Sequence, residues 1–315
     1  MKQIDGAGWM NILIVGSGAV GGYYGACLAR AGLQVSYLVT PKSLPVIQKK
    51  GLIVKTRGEV WTIHPRVSAS PAELSPCDLI IIAVKRYDTE SVLNSLQPVI
   101  KEDSIILPLQ NGVDSEEDIL KRFPHAHVLG GIAFIGVKSE EPGVILHQGA
   151  GSLSIGELDG SESERLQTVV RIFKDAGVPA KPSRDIYKAK WQKLCWNAVF
   201  NPLTVILNGP IDYILDSKDA VEIAYGLFNE IRSVAERRGI MLSADLMDEH
   251  IAVTQKLRGF HTSMYEDFVR GKPTEIDYFN GYVCREGGRL GVPVPVNCTV
   301  VSLVKAISCR SRKLS

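Results

Sequence analysis

The sequence predicts an α/β domain built on a parallel sheet, followed by a mostly α-helical domain. Three observations carry that expectation. A strand–glycine turn–helix–strand pattern opens the chain. Two continuous apolar runs follow, of the kind buried on both faces of a parallel sheet. From about Tyr187 the apolar period becomes helical. The 315 residues suit two domains. We place them at residues 10–183 and 184–315.

The opening pattern lies in Asn11 to Gly32. Asn11–Val15 is a short β-branched run, and Gly16, Gly18 and Gly21 then form G-x-G-x-x-G. A helix-like segment, Tyr23 to Arg30, stops at Gly32, and a second apolar run spans Gln34 to Val39. This is the context of a Rossmann-like dinucleotide-binding turn, although a plain glycine turn in a βα unit has the same letters. Gly16 permits the tight turn, Gly18 lets backbone N–H groups approach a pyrophosphate, and Gly21 lets the helix pack on the strand. Ser17, Ala19 and Val20 complete the loop.

Further along, Ser43–Lys50 reads as a short helix, and Leu52–Thr56 with Val60–Val67 reads as a hairpin. Asp78–Val84 and Ser104–Leu109 are the buried strands. Lys85 ends the first, and Gln110-Asn111-Gly112 ends the second. Helices are expected at Thr89–Leu96, Ser115–Arg122 and Glu162–Ala176, and β-like runs at Val128–Lys138, Gly143–His147 and Ser152–Leu158. The second half shows helical segments at Asp245–Leu257, Ser263–Arg270, Thr274–Leu290 and Thr299–Ser308. Another carries Val221, Ala224, Leu227, Phe228, Ile231 and Val234 on one face and ends at Gly239.

The net charge of +2 gives no global electrostatic case for nucleic acid or a membrane surface. The cysteines (Cys27, Cys77, Cys195, Cys284, Cys298 and Cys309) have no zinc spacing and read as thiols of a reducing, cytoplasmic compartment. No metal site is expected. The first apolar run is broken by glycines and has almost no basic n-region, so no signal peptide is expected, and Met10 directly precedes the first strand. Either residues 1–9 are a disordered extension or Met10 is the start.

Ligands of an open parallel sheet bind outside the carboxyl ends of its strands. The glycine loop, Lys85 and Asn111 fall there. Lys85 also fits a strand end meeting solvent, and Asn111-Gly112 also fits a plain turn. No Asp or Glu occurs between Val35 and Ser43 to hold a ribose 2′-hydroxyl. Thr40, Lys42 and Ser43 suit a 2′-phosphate instead, which favours NADP.

Residues 188–204 read KAKWQKLCWNAVFNPLT. On a helix Lys193, Asn197 and Asn201 drift by only about 80° in total, so they share a face able to bind an oxyanion and a carboxylate. Lys190 is also near that face, and a solvated polar stripe is the plain alternative. Trp191 and Trp196 read as core. Pro202 is expected to kink or end the helix. A second cluster holds Ser263, with Thr274-Glu275-Ile276-Asp277 beyond it. Thr274 and Asp277 have capping-box spacing, which would put Glu275 in a first helical turn.

These motifs resemble those of the ketopantoate reductases (2-dehydropantoate 2-reductases). They are G-S-G-A-V-G at Gly16–Gly21, A-V-K at Ala83–Lys85, Q-N-G at Gln110–Gly112, K-L-x-x-N-x-x-x-N-P-L-T at Lys193–Thr204, and S-M…T-E-I-D at Ser263–Asp277. The likeness runs from Asn11 to about Ser308. It implies an oxidoreductase that uses NADPH to reduce ketopantoate to D-pantoate for pantothenate and coenzyme A synthesis. Its catalytic residues would be Lys193, the general acid, and Glu275. Asn197, Asn201 and Ser263 would bind substrate. Lys85 and Asn111 would join the glycine loop and Lys42 at the cofactor, with the nicotinamide between the two domains. Dimerisation through the helical domain is a family expectation. The chain departs from the family pattern at Val39–Thr40, where an arginine is common, and at Ile211 and Phe260, where asparagines occur. The last two would make the substrate end more apolar. A paralogous reductase of another 2-keto acid and an NADP-binding sensor without turnover are the alternative readings.

Overall fold

The protein is described by a computed structural model covering residues 10–314. The expectation about residues 1–9 and a start at Met10 lies outside the described residues. The chain divides into two compact units, one ending at Ile186 and the other starting at Tyr187.

The first unit contains β1 (Asn11–Val15), α1 (Ala19–Arg30), β2 (Gln34–Leu38), α2 (Leu44–Lys50), β3 (Leu52–Lys55), β4 (Val60–Ile63), β5 (Arg66–Ser68) and β6 (Cys77–Ile82). They are followed by α3 (Thr89–Ser95), β7 (Ile100–Pro108), α4 (Ser115–Arg122), β8 (His127–Glu141), β9 (Val144–Glu157), α5 (Glu164–Asp175) and β10 (Ala180–Pro182). The sheet order is β4-β3-β9-β8-β7-β6-β1-β2-β5, with β10 on β9. From β5 to β8 all pairs are parallel. This is the doubly wound order, whose reversal point lies between β1 and β6.

Alternation places Ile12 and Ile14 in one apolar layer and Leu13 and Val15 in the other. Tyr24, Leu28 and Phe173 pack on the first layer, and Leu93, Ile119 and Phe123 on the second. Both faces of β1 and β6 are therefore covered, which explains their unbroken apolar sequences.

The run Val60–Val67 does not form one strand. His64 and Pro65 interrupt it, and Arg66–Ser68 leaves the hairpin to pair with β2 at the other edge of the sheet. A proline cannot donate to a ladder, so it marks the break. The runs Gly143–His147 and Ser152–Leu158 join as the single strand β9. Ala150 (φ 53°) and Gly151 (φ 126°) absorb a register shift against β8 at their junction.

The second unit is helical: α6 (Ile186–Ile206), α7 (Asp212–Leu215), α8 (Lys218–Arg237), α9 (Leu246–Thr254), α10 (Ser263–Val269), α11 (Asn280–Leu290) and α12 (Pro295–Leu314). No helix among the described residues is long and apolar enough to cross a membrane.

Two expectations are corrected here, each for a physical reason: for Pro202 it is the helix end that does not occur. Helix α6 does not end at Pro202 but continues through it to Ile206. Proline has no N–H to give the carbonyl four residues back, that of Ala198. Asn280 Nδ2 donates to that oxygen at 2.7 Å, so a side chain replaces the missing backbone donor. The same amide donates to Asn297 Oδ1 (2.9 Å), and Asn297 Nδ2 donates to Glu230 Oε2 (2.7 Å). A buried polar chain thus joins α6, α11, α12 and α8.

The segment Thr274–Leu290 is not one helix either. A 3₁₀ turn at Ile276–Tyr278 is cut off by Phe279 (φ −106°, ψ −94°) before α11 begins. Glu275 flanks that turn, outside any α-helical first turn, and no side-chain cap forms there.

Four cysteines are thiols: Cys77 and Cys195 are buried, Cys27 is half-buried and Cys309 exposed. The remaining two correct the expectation of six thiols. Cys284 on α11 and Cys298 on α12 are joined as a disulfide with Cα atoms 5.8 Å apart. Helix packing brings them together, and their spacing of 14 residues matches no motif that would have shown it.

Replacing Asn280 by Leu keeps the volume but leaves the Ala198 carbonyl and Asn297 without this partner. A loss of about 2–3 kcal/mol in urea unfolding is expected. A loss under about 1 kcal/mol would show that the carbonyl does not depend on the amide.

Candidate active site

In the first unit, three loops leave the carboxyl edge of the sheet at one level. The N–H groups of Gly16, Ala83 and Leu109 bond to Leu38 O, Val15 O and Ile82 O at 2.8–2.9 Å. The loops that follow carry the glycine turn, Lys85 and Asn111.

The glycines divide by geometry. Gly16 has φ +101°, and a Cβ there would lie 2.9 Å from Val84 Cγ1. A Cβ on Gly21 would lie 2.1 Å from Gly16 O. A Cβ on Gly18 would meet nothing within 4 Å. Gly16 and Gly21 therefore shape the turn, while Gly18 leaves open space beside the helix end. Helix α1 starts at Ala19 with no side-chain cap and no acid in its first turn. Unbonded N–H groups and the positive helix end suit a phosphate. Ser17, Ala19 and Val20 border this cradle, each partly exposed.

After β2, Lys42 is exposed. Thr40 Oγ1 and Ser43 Oγ lie 3.0 Å apart, and Ser43 N donates to Thr40 O at 2.9 Å, which fixes the turn that carries Lys42.

Sequence reasoning missed a buried clamp beside Lys85 and Asn111. Arg86 is 1% exposed. Its Nη1 donates to Thr89 Oγ1 (3.0 Å), and its Nη2 donates to Asp114 Oδ1 and Asp118 Oδ2 (2.8 Å each). Gln110 Nε2 donates to Val84 O (2.9 Å) and Thr89 Oγ1 (2.8 Å). Burial disfavours the guanidinium charge, but the two carboxylates outweigh it and the pKa is raised. The clamp locks the loop after β6 to the loop after β7. A strand-end arginine looks solvent-bound in sequence, and nothing local marks Asp114 and Asp118 as its partners.

In the second unit, α6 carries Lys193, Asn197 and Asn201. Asn201 is fully buried and used internally. Its Nδ2 donates to Asn197 Oδ1 (3.2 Å), and its Oδ1 accepts from Met264 N (3.4 Å). Asn197 is also buried, but its Nδ2 has no hydrogen-bond partner among the described residues. One asparagine thus aligns the other and leaves one donor available, an arrangement that can receive a carbonyl or carboxylate oxygen.

The same region of α6 positions Ser263. Thr204 Oγ1 and Thr262 Oγ1 lie 2.7 Å apart, and Thr262 Oγ1 caps α10 by accepting from Tyr265 N (3.3 Å). Ser263, the first residue of α10, is exposed. Trp191 is buried, and Trp196 donates through Nε1 to Thr254 Oγ1 (2.9 Å), so both tryptophans are structural.

Lys193 is partly buried and Glu275 is 5% exposed. Burial lowers the Lys193 ammonium from its ordinary value to about 8. The nearby Lys190 charge adds to the fall, and Glu275 opposes it. A lysine in this state can stabilise developing negative charge and release a proton near neutral pH.

Of the two apolar departures, Ile211 does not reach a surface. It is 0% exposed, and its N–H donates to Phe260 O at 3.0 Å. Phe260 is 36% exposed, three residues before Ser263.

Residues 12–160 match the family model described as ketopantoate reductase PanE/ApbA, and residues 185–308 match its C-terminal counterpart. A 2-dehydropantoate 2-reductase of Nostoc sp. is 30% identical, with 90% of this chain and 91% of that protein covered. Among solved structures, a PanE/ApbA family ketopantoate reductase from Ralstonia eutropha has a TM-score of 0.90 at 29% identity, covering 96% of this chain and 100% of that one. A D-mandelate dehydrogenase solved with NADH and anilino(oxo)acetate has a TM-score of 0.89 at 27% identity, covering 96% and 99%.

The glycine geometry gives an ordered expectation. In thermal unfolding without ligand, Gly21→Ala should lose about 2 kcal/mol or more, because its Cβ meets backbone. Gly18→Ala should lose no more than about 1 kcal/mol. Equal losses at the two positions would refute this division of roles.

Proposed function

The chain belongs to the ketopantoate reductase family of oxidoreductases, and on that premise we propose that it reduces ketopantoate to D-pantoate with NADPH. The product would serve pantothenate and coenzyme A synthesis. The observation that carries this reading is the α6 face: Lys193, with its pKa drawn to about 8, on the same face as Asn197 with its available donor.

The first unit holds the cofactor in this reading. The pyrophosphate would rest on the α1 N-terminus within Gly16–Gly21. Lys85 and Asn111, fixed by the Arg86 clamp, would contact it. Lys42, on the turn fixed by Thr40 and Ser43, would meet the 2′-phosphate, and the absence of an acid from Val35 to Ser43 supports this. A bound nicotinamide supplies the hydride.

The chain's own residues do the rest. Asn197 Nδ2 donates to the substrate, with Asn201 holding the amide in place. Ser263 Oγ donates to the substrate carboxylate. Lys193 stabilises the negative charge that grows on the keto oxygen, and its Nζ gives that oxygen a proton. The carbonyl carbon gains a hydride and the oxygen a proton, which completes the alcohol. Lys193 is left neutral and takes a proton back from water. Glu275 orients the ammonium and favours its charged form.

A second reading rests on Phe260. Its exposed ring near Ser263 favours a 2-keto acid with a bulkier or aromatic substituent. The structural likeness to a D-mandelate dehydrogenase that binds NADH supports the same direction and would change the cofactor as well.

Oxidation of NADPH and NADH over a panel of 2-keto acids decides between them. The highest kcat/KM for ketopantoate with NADPH is expected. A preference for a phenyl-substituted acid would support the second reading, and no oxidation with any 2-keto acid would reject both. Lys193→Ala should lower kcat by about 10²–10⁴-fold with NADPH affinity nearly unchanged. Collapse of NADPH binding would remove the proton-donor role.

The pH dependence has a definite sign. The active form of Lys193 is protonated, so kcat should be level below pH 8 and fall as pH rises through about 8. A limb near pH 10 would contradict the partly neutralised lysine.

A further inference from the structure

We propose that Lys190 is a positioning residue of this reaction: a buried cation one turn before Lys193 on the same face of α6, it holds Lys193 ready to give up its proton. The inference rests on the proton-donor role proposed for Lys193.

Lys190 and Lys193 are separated by three positions on an unbroken helix. Side chains so spaced are neighbours, with Cβ atoms about 5–6 Å apart. Around the helix axis Lys190 falls between Asn197 and Asn201, inside the sector of about 80° that the three site residues define. It is also the more enclosed lysine, at 3% exposure, where Lys193 is partly exposed. Lysine is seldom so buried, and its charge one turn away makes the Lys193 charge costlier.

Among the described residues of the second unit, two charged groups act on Lys193 from opposite directions. Lys190 comes from its own helix, and Glu275 comes from the segment before the 3₁₀ turn. On α9, His250 contacts Gln192 O at 3.0 Å, and burial favours its neutral form, so it adds little charge. Glu275 favours the protonated ammonium, whereas burial and Lys190 disfavour it. Lys190 is thus the charge that offsets Glu275. Without it the carboxylate would hold the proton more firmly, and Lys193 would be a weaker acid at the moment of transfer. A donor works best with a pKa near the working pH.

The test reads the ionisation of Lys193 directly. Trace acetylation of the whole protein by acetic anhydride across pH 6–11, followed by peptide mass spectrometry, gives the midpoint at which Lys193 becomes nucleophilic. The basic limb of kcat is recorded beside it. Wild type should show a midpoint near 8. In K190Q both should move up by roughly half to one pH unit, a threefold to tenfold change in the protonation equilibrium. In K190R, which keeps the charge, neither should move.

A folded K190Q or K190M with an unmoved midpoint would overturn the proposal, because a purely structural lysine would lower stability without shifting the titration. A wild-type midpoint near 10 would overturn it whatever the variants do. Should neither neutral variant fold, a midpoint near 8 kept in K190R supports it. Labelling needs no turnover, so failure to oxidise NADPH with any 2-keto acid would defeat the proposed reaction separately.

Discussion

The candidate site on α6 depends on one hydrogen bond that the backbone cannot make. Pro202 leaves the Ala198 carbonyl without its helical donor, and Asn280 supplies one from α11. An exposed carbonyl could have turned to water and bent the helix, as prolines commonly cause. This one is buried, and its substitute donor belongs to a chain of amides that ends on Glu230 of α8. The turn that carries Asn197 and Asn201 is therefore set by four helices at once. Asn201 and Thr204 then pass that order to α10, through Met264 N and the Thr262 cap. Positions along α6 and at the start of α10 become one rigid surface, which is what the proposed acid and amide donor need.

The electrostatics of that surface are a balance of opposed terms. Burial weakens the Lys193 ammonium and Glu275 strengthens it. The same logic runs the other way in the first unit, where Asp114 and Asp118 keep the buried Arg86 charged. Arg86 serves as a permanent tie between two loops because its charge is secured. Lys193 is suited to chemistry because its charge is not.

Much of the first unit was legible in the sequence because its signals are local. Gly16 and Gly21 state backbone requirements that only glycine meets, Gly18 leaves space at the helix end, and the runs at β6 and β7 state that both faces are covered. The less legible parts depend on distant partners. Pro202 reads as a helix end unless Asn280 is known to lie against Ala198, a separation of 82 residues. The same holds for Arg86 with its carboxylates and for Cys284 with Cys298. Glu275 was misplaced because Thr274 and Asp277 have capping-box spacing, yet Phe279 breaks the helix that the spacing implies. In the site itself, spacing put Lys193, Asn197 and Asn201 on one face. It could not show that Asn201 is spent on internal bonds while Asn197 keeps a donor, or that Ile211 is core and Phe260 exposed.

The most direct test of this account is a double-mutant cycle between Pro202 and Asn280, read in both unfolding free energy and kcat. Pro202→Ala returns a backbone N–H to the Ala198 carbonyl, so it should offset the damage done by Asn280→Leu. A favourable coupling of about 1–2 kcal/mol in stability is expected, with recovery of part of the lost kcat. Strictly additive effects in both quantities would contradict the claim that Asn280 stands in for the missing donor and holds the proposed catalytic face of α6.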